Sequence, residues 1–385
     1  MRPNYRSLFF INPELPSYMN DPKINSLYED AVKLLQQLIS IPSLSREEDK
    51  TALAIENFLH QKNIVADRAM NNVWATNRFF DASRPSILLN SHHDTVPANS
   101  KYSNDPFDPK IEEGKLFGLG STDAGASLVS LLACFIYFYE KKDLPFNIVF
   151  AASAEEEISG ANGIEKLFSE KSFNDLFKNE NSFAIVGEPT QLELAVAEKG
   201  LLVLDCTANG KAGHAAREEG DNAIYKAIAA IEWFKAYRFD KVSPLLGEVK
   251  MTVTSIHTEN KAHNVVPATC SFVVDVRVTE MYTHQEIIQT INQYVEVDVK
   301  ARSTRLRSSY ITEDHPVIRA GKKLGKKIYG SPTLSDKALI PLPALKCGPG
   351  FSAQSHSADE FVLLNDIKQG VGFYIELLEE LIINN

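Results

Sequence analysis

SILLNSHHDTVP, residues 86–97, is an apolar run that ends abruptly in two histidines and an aspartate. An apolar segment bounded by polar residues reads as a buried strand, anchored by Ile87, Leu88 and Leu89. His92, His93 and Asp94 then emerge at its carboxyl end, where open α/β sheets gather their ligands. The period of two in an extended chain puts His92 and Asp94 on one side and His93 on the other. His92 is thereby a candidate metal ligand and Asp94 the residue that holds its ring.

The same design recurs downstream. FNIVFAA, residues 146–152, reads as a second buried strand and runs into Ser153, Ala154, Glu155, Glu156 and Glu157. Three adjacent carboxylates at a strand end repel one another unless a cation or solvent intervenes. Phe183 to Val186 is a third such strand and leads into Gly187, Glu188, Pro189 and Thr190. Alternation of these strands with helical patterns predicts an α/β fold, a mostly parallel central sheet flanked by helices. The helices are expected over Ile24 to Ile39, over a stretch bearing Ala52, Ile55, Phe58 and Leu59, and over Leu128 to Tyr139. Ser45 and Glu48 form a capping-box pattern ahead of the second helix. Short strands are expected at Ile64 to Asp67 and Val73 to Thr76. A long polar loop over residues 97–125 delivers Asp123 to the start of the third helix, and loops of that length are usually functional.

Near Ala197 the texture changes to longer alternating strands, at Gly200 to Thr207, Val249 to His257 and Cys270 to Val278. Helical segments lie at Asn222 to Tyr237 and His284 to Tyr294. Two helices on a sheet of hairpin-like strands form an α+β module. The expected organisation is therefore a catalytic domain in two parts, residues 1–197 and 310–385, with a smaller domain inserted at 198–309. The tail over 316–381 should return to the first domain with two amphipathic helices and a strand, and His356 sits in the Ser- and Gly-rich loop GPGFSAQSHSADE.

Length and composition limit the function. The chain has 385 residues, 44% of them hydrophobic, and a net charge of −10. That is enough to bury a sizeable core, and the acidic balance argues against a nucleic-acid surface. The N-terminus lacks a long apolar core and a small-residue cleavage site, so no secretory signal is expected. No run of 18 apolar residues suggests a membrane span. Cys134, Cys206, Cys270 and Cys347 are far apart and mostly in apolar runs, which fits reduced thiols in a cytoplasmic protein.

His92, Asp123, one or more of Glu155 to Glu157, Glu188 and His356 offer the nitrogen and oxygen donors that suit zinc, with cobalt or manganese as substitutes. Two metal ions sharing one carboxylate need about five protein ligands, and a further carboxylate can serve as general base. HHDTVP, GLGSTDAG, AEEEISGANG, VGEPT and SHSADE, in this order and spacing, resemble the co-catalytic zinc amidohydrolases and peptidases. That group includes acetylornithine deacetylase, succinyl-diaminopimelate desuccinylase, aminoacylase and glutamate carboxypeptidase. The resemblance implies one zinc on His92, Asp123 and Glu188 and another on Asp123, Glu157 and His356. It makes Glu156 the general base, Asp94 the residue that fixes the His92 tautomer, and the Asp123–Ala124 peptide a candidate for a cis bond.

The inserted domain extends the resemblance. NGKAGHAAREEGDNAI, residues 209–224, places at His214 the histidine that dimeric members contribute to a partner's active site, where it stabilises an oxyanion. Asn264 in HNVVPATC and Arg277 in VVDVRV match residues that hold a substrate carboxylate, and Lys337 stands where relatives often carry an arginine. Asp123, Ala124, Gly125 and Ala126 replace the usual Asp, Met, Lys and Gly, and Glu155 replaces a common aspartate. The resemblance implies a homodimer, formed through the inserted domain, that hydrolyses an N-acyl amino acid in amino-acid biosynthesis. It is most like acetylornithine deacetylase of arginine biosynthesis, acting on an N-acetyl- or N-succinyl-ornithine or -citrulline. Zinc dipeptidase, carboxypeptidase or desuccinylase activity, and a non-catalytic binding protein of the same fold, are the alternatives.

Overall fold

The computed structural model describes residues 21–217 and 219–383. The three strands legible as apolar runs are Ser86–His92, Asn147–Ser153 and Phe183–Val186, and every residue in them is buried. Strands buried on both faces need partners on both edges, and here Ser86–His92 lies between the other two, parallel to each. The central sheet runs in the order 67–69, 72–76, 147–153, 86–92, 183–186, 344–346, 194–198 and 309–310, with 328–331 also beside 194–198. Its middle is parallel and its flanks are antiparallel, at Asn72–Thr76 and at Ser309–Tyr310. The sheet is therefore mixed about a parallel centre. Since the central strands run the same way, His92, the Glu155 to Glu157 run and Glu188 all leave from one edge.

Helices cover both faces. On one side Pro22–Ile39, Ala126–Phe138 and Leu364–Ile383 pack together. The middle helix is apolar all round because it is enclosed: every residue except Ile136 and Tyr137 is buried. A helix apolar on all sides belongs in a core or a membrane, and the 121–138 stretch, long and apolar enough for either, is 78% buried within the protein. Phe135 and Phe138 alone contribute about 1.5–3 kcal/mol each by leaving water. On the opposite face Trp74, Ile164, Leu167, Phe173 and Phe177 form a second cluster.

Residues 200–301 build a separate antiparallel sheet in the order 250–257, 269–278, 200–209 and 298–301. Gly200–Asn209 alternates buried and half-buried positions, the pattern of a sheet with one face covered. Ala223–Ala236 and His284–Tyr294 pack on that face around a core of their own. Lys250–His257 is the outer strand and is largely exposed.

Several elements differ from the sequence expectation. The Ser45/Glu48 capping box does not form. Glu48 makes no cap hydrogen bond with its side chain, which instead accepts from the N–H groups of Arg46 and Glu155 and from Asn71 Nδ2. A capping box does form at Thr283 and Glu286. The early strand lies at Asp67–Ala69 rather than Ile64 to Asp67. Phe361–Leu363 begins as a strand before the last helix and pairs with Lys115–Phe117 inside the long loop, which in turn pairs with Ile111–Glu112. Phe361 faces Phe117 in this register, with ring centroids 5.5 Å apart, and such cross-strand aromatic pairs stabilise a ladder.

Candidate metal centre

His92 closes its strand with 1% of its surface exposed. Its Nδ1 lies 3.0 Å from the Asp94 carbonyl oxygen and 3.4 Å from Asp94 Oδ1, so an N–H there is held and Nε2 is turned toward the acids. Nε2 is 3.3 Å from Asp123 Oδ1, 3.7 Å from Glu188 Oε1 and 3.9 Å from Glu156 Oε2. Asp94 does more than orient the ring. Its carboxylate accepts from Ser45 Oγ at 2.6 Å and from the N–H groups of Glu156 and Glu157 at 3.0 and 3.2 Å. One buried aspartate thus fixes both the histidine and the short helical turn Glu156–Ile158. His93 points the other way, its nitrogens 2.9 Å from Thr51 Oγ1 and 2.9 Å from the Asn71 carbonyl oxygen.

Asp123 stands in the tight turn Ser121–Gly125, and its peptide bond to Ala124 is cis. Glu360 anchors this turn by accepting from the N–H groups of Gly120, Thr122 and Asp123 at 3.0, 2.8 and 3.0 Å. Asp123 Oδ2 accepts from Ser355 Oγ and lies 3.5 Å from His356 Nε2. Glu155 has a positive φ of 53° and turns its carboxylate to Asn162 Nδ2 at 2.9 Å. Of the three adjacent glutamates, the last two therefore enter the site. Glu157 Oε2 is 3.0 Å from His356 Nε2.

Two donor sets result, His92, Asp123 and Glu188, and Asp123, Glu157 and His356, with the donor atoms of each set within 4.8 Å of one another. Asp123 belongs to both, whereas Glu156 belongs to neither. Burial raises Glu188 to about 8, with the Asp123 charge adding to the effect. Glu156 is pushed well above the carboxylate range by burial and by Glu188. Glu157 raises His356 to about 9, through its hydrogen bond and its charge. Carboxylates crowded in this way, interleaved with two imidazoles, are the arrangement that a pair of divalent cations relieves. Nitrogen and oxygen donors of this kind fit zinc, cobalt or manganese.

The donors open into a cavity of about 790 Å³, lined by Asp123, Glu156, Glu157, Glu188 and His356 among others. Thr190, Glu193, Lys327, Tyr329, Thr333 and Lys346 also line it. Sequence reasoning missed Lys346, which hides at the end of the short strand Ala344–Lys346. Burial alone would lower this ammonium, but Glu198 and Glu188 more than offset that and hold it above its ordinary value. Glu360 was also missed as a turn anchor, although the SHSADE segment contains it.

Other candidates lie elsewhere. His214 and Asn264 are exposed neighbours on the two-stranded ribbon Gly213–His214 and Val265–Val266, and neither lines the cavity. The Arg277 guanidinium is engaged by Asp275 on its own strand at 2.8 and 3.0 Å. Lys337 requires a correction as a substrate-binding residue. It is 2% exposed, donates to the Ala195 carbonyl oxygen at 3.2 Å and does not line the cavity, because the turn Asp336–Ala338 directs it beneath the sheet. Its neighbour Asp336 accepts from Asn90 Nδ2 and Ser153 Oγ at 2.9 and 2.5 Å, tying the turn to the two strands that carry His92 and the glutamates.

An α/β sheet with overlapping histidine and carboxylate donor sets at its strand ends, and an inserted antiparallel module, defines a metal-dependent hydrolase. Residues 88–380 match peptidase family M20/M25/M40, and the chain belongs to that family of peptidases and amidohydrolases. Succinyl-diaminopimelate desuccinylase 2 of Ruegeria sp. (strain TM1040) is 23% identical over 280 residues, 69% of this chain and 69% of that one. A probable carboxypeptidase of Paracoccidioides lutzii is 28% identical over 401 residues, 92% of this chain and 87% of its own. The YXEP protein of Bacillus subtilis, a dinuclear metal-binding peptidase of the M20 family, superposes with a TM-score of 0.69 at 17% identity, covering 94% of this chain and 100% of that one.

Proposed function

We propose that this protein hydrolyses the amide bond of an N-acyl amino acid, in the manner of an acetylornithine deacetylase, releasing a carboxylate and a free amino acid. The observation that carries this reading is the Asp123 carboxylate shared by two donor sets, with Glu156 beside them and outside both. His92, Asp123 and Glu188 would hold one zinc ion and Asp123, Glu157 and His356 the other. When bound, such a pair polarises a carbonyl and lowers the pKa of a water. Glu156, whose Oε2 lies 3.9 Å from His92 Nε2 and outside both donor sets, would be the group placed to take a proton from the attacking water and to hand it to the leaving nitrogen. Asp94 keeps the His92 ring and the Glu156 turn in register throughout.

His214 steadies charge on the carbonyl oxygen from a second copy of the chain, with Asn264 beside it on the same ribbon. Their exposure outside the cavity, and the exposed outer strand Lys250–His257, support a homodimer through the inserted sheet. Arg277, with Asn264, would hold the substrate's carboxylate; Asp275 engages only its Nε and one Nη2 proton, which fixes the guanidinium plane and leaves further N–H donors. The four free, buried cysteines support a reducing, cytoplasmic setting.

The test is the zinc-loaded Glu156→Gln variant against N-acetyl- and N-succinyl-ornithine, N-acetyl-citrulline and dipeptides. Turnover should fall by about 10²-fold or more while both metals stay bound, and wild-type turnover by this variant would sink the base assignment. Preference for dipeptides would instead favour the peptidase reading that the carboxypeptidase relative supports. Light scattering should give twice the monomer mass, and a monomer that is fully active would end the trans role of His214.

A further inference from the structure

Four consecutive backbone N–H groups follow the strand Asn147–Ser153, and side-chain oxygens take all four. Ala154 donates to Asn72 Oδ1 at 3.0 Å and Glu155 to Glu48 Oε1 at 3.1 Å. Glu156 and Glu157 donate to Asp94 Oδ1 and Oδ2 at 3.0 and 3.2 Å. Buried N–H groups must find acceptors, and here the acceptors come from three remote side chains. The path of the chain through the three glutamates is therefore set from outside.

Of these acceptors, Glu48 is the buried carboxylate to which the metal centre gives no direct role. None of its surface is exposed. Its other donors are the Arg46 N–H, 2.6 Å from Oε1, and Asn71 Nδ2, 2.8 Å from Oε2. It stands at the start of the second helix, yet its side chain caps none of that helix's N–H groups. Hydrogen bonds to a carboxylate are among the stronger ones, so the Glu155 N–H is firmly held.

Glu155 is also where the chain bends. Its φ of 53° lies in the left-handed region that residues with a Cβ avoid. In that conformation its carboxylate packs over Gly160, where a Cβ would come 1.9 Å from Glu155 Oε2. Glu156 Oε2 then stands 3.9 Å from His92 Nε2. Rotation about the Glu155 N–Cα bond carries everything after it, so a negative φ would turn Glu156 and Glu157 out of this arrangement. Asp94 holds the two N–H groups beyond the bend, and Glu48 holds the one at it.

We propose that Glu48 is a positioning residue for the Glu155 to Glu157 run. By holding the Glu155 N–H it keeps that residue left-handed and so presents Glu156 and Glu157, rather than Glu155, to the metal centre. This rests on the reading of the protein as an amide hydrolase with Glu156 as its base.

The test compares Glu48→Met, which keeps the side chain's length and removes its acceptors, with Glu48→Gln, which keeps one oxygen for the Glu155 N–H. Zinc competition titration needs no substrate. Glu48→Met should weaken one of two zinc sites by roughly 10- to 100-fold, the site that His356→Ala also removes, and Glu48→Gln should retain most of the affinity. With zinc saturating and an N-acyl amino acid as substrate, kcat of Glu48→Met should fall by roughly 10- to 100-fold while KM changes little. In the Glu156→Gln background the same change should cost less than about threefold, since the carboxylate it positions is already gone. Equal losses in the two backgrounds, or wild-type zinc affinity and turnover in Glu48→Met, overturn the proposal. Should Glu48→Met fail to fold, Asn71→Ala, which removes the donor on Oε2, should give the same pattern at about 3- to 10-fold; no loss there overturns it equally. The zinc result without hydrolysis of any N-acyl amino acid or dipeptide overturns the activity and leaves the role of Glu48 toward Glu157 standing.

Discussion

At the scale of single residues, burial decides what each ionisable group does. Lys346 and Lys337 are both enclosed, yet Lys346 has a carboxylate at 2.8 Å and Lys337 has a carbonyl oxygen. Burial accordingly pushes Lys337 down to about 8, against an unfolded value near 10.4. Between those two values the unfolded chain binds a proton that the folded chain lacks, so this lysine makes wild-type stability rise with pH from about 8 to about 10. Below pH 8 the folded protein bears a buried ammonium. Lys337→Met lacks this dependence. Urea unfolding should show the wild type gaining on the variant by on the order of 3 kcal/mol between pH 7 and pH 10.5, and parallel pH curves would contradict the burial of that charge. The residues marked by strand-end position, His92 and Glu188, were legible in sequence, and the family resemblance singled out Glu157. Lys337 and Lys346 were not distinguishable there, because both are lysines near an apolar stretch and only the turn at 336–338 sends one away from the cavity.

At the scale of elements, the site depends on turns held by distant carboxylates. Glu360 accepts three backbone N–H groups of the Ser121–Gly125 turn, so Glu360→Gln confronts those donors with an amide that can accept at only one atom. Its expected cost is about 1–3 kcal/mol of stability for the donors left unsatisfied, with zinc affinity lowered roughly 10- to 100-fold, as for other changes behind a metal ligand. Urea unfolding and a zinc competition titration measure the two effects, and unchanged zinc affinity would mean that the turn holds itself. The strand and helix periods predicted most elements to within a few residues. The exceptions at the second helix's start and at Phe361 share one cause. Ser45, Glu48 and Phe361 carry correct local signals for a cap or a helix, but Asp94, Glu155 and Phe117, all remote in sequence, offer better partners.

At the scale of the whole molecule, a cavity lined by carboxylates drawn from distant parts of the central-sheet domain implies that metal and folding are linked. Ions that bind the folded chain alone stabilise it by about 4 kcal/mol at a thousandfold excess over their dissociation constant. Adding zinc to chelator-treated protein should therefore raise Tm by roughly 5 °C or more. Asp123→Asn, which touches both donor sets, should lose most of that rise, and Glu156→Gln should keep it. Equal rises in both variants, read by differential scanning calorimetry, would place zinc elsewhere.

The sequence by itself determined the class of fold, because apolar runs of strand length alternating with helical periods leave few ways to bury their surface. It also marked the acids and histidines that gather at one sheet edge, since the parallel direction of the strands makes their ends coincide. Strand-end position left open which of the three adjacent glutamates turn inward, a choice that only the family resemblance made ahead of the structure, and tertiary structure alone decided which lysine faces the cavity and that His214 and Asn264 stand outside it. Those outcomes depend on the backbone sign at Glu155, on a turn pinned by Asn90 and Ser153, and on where an inserted sheet sits. Such long-range contacts leave no periodicity in the chain that makes them.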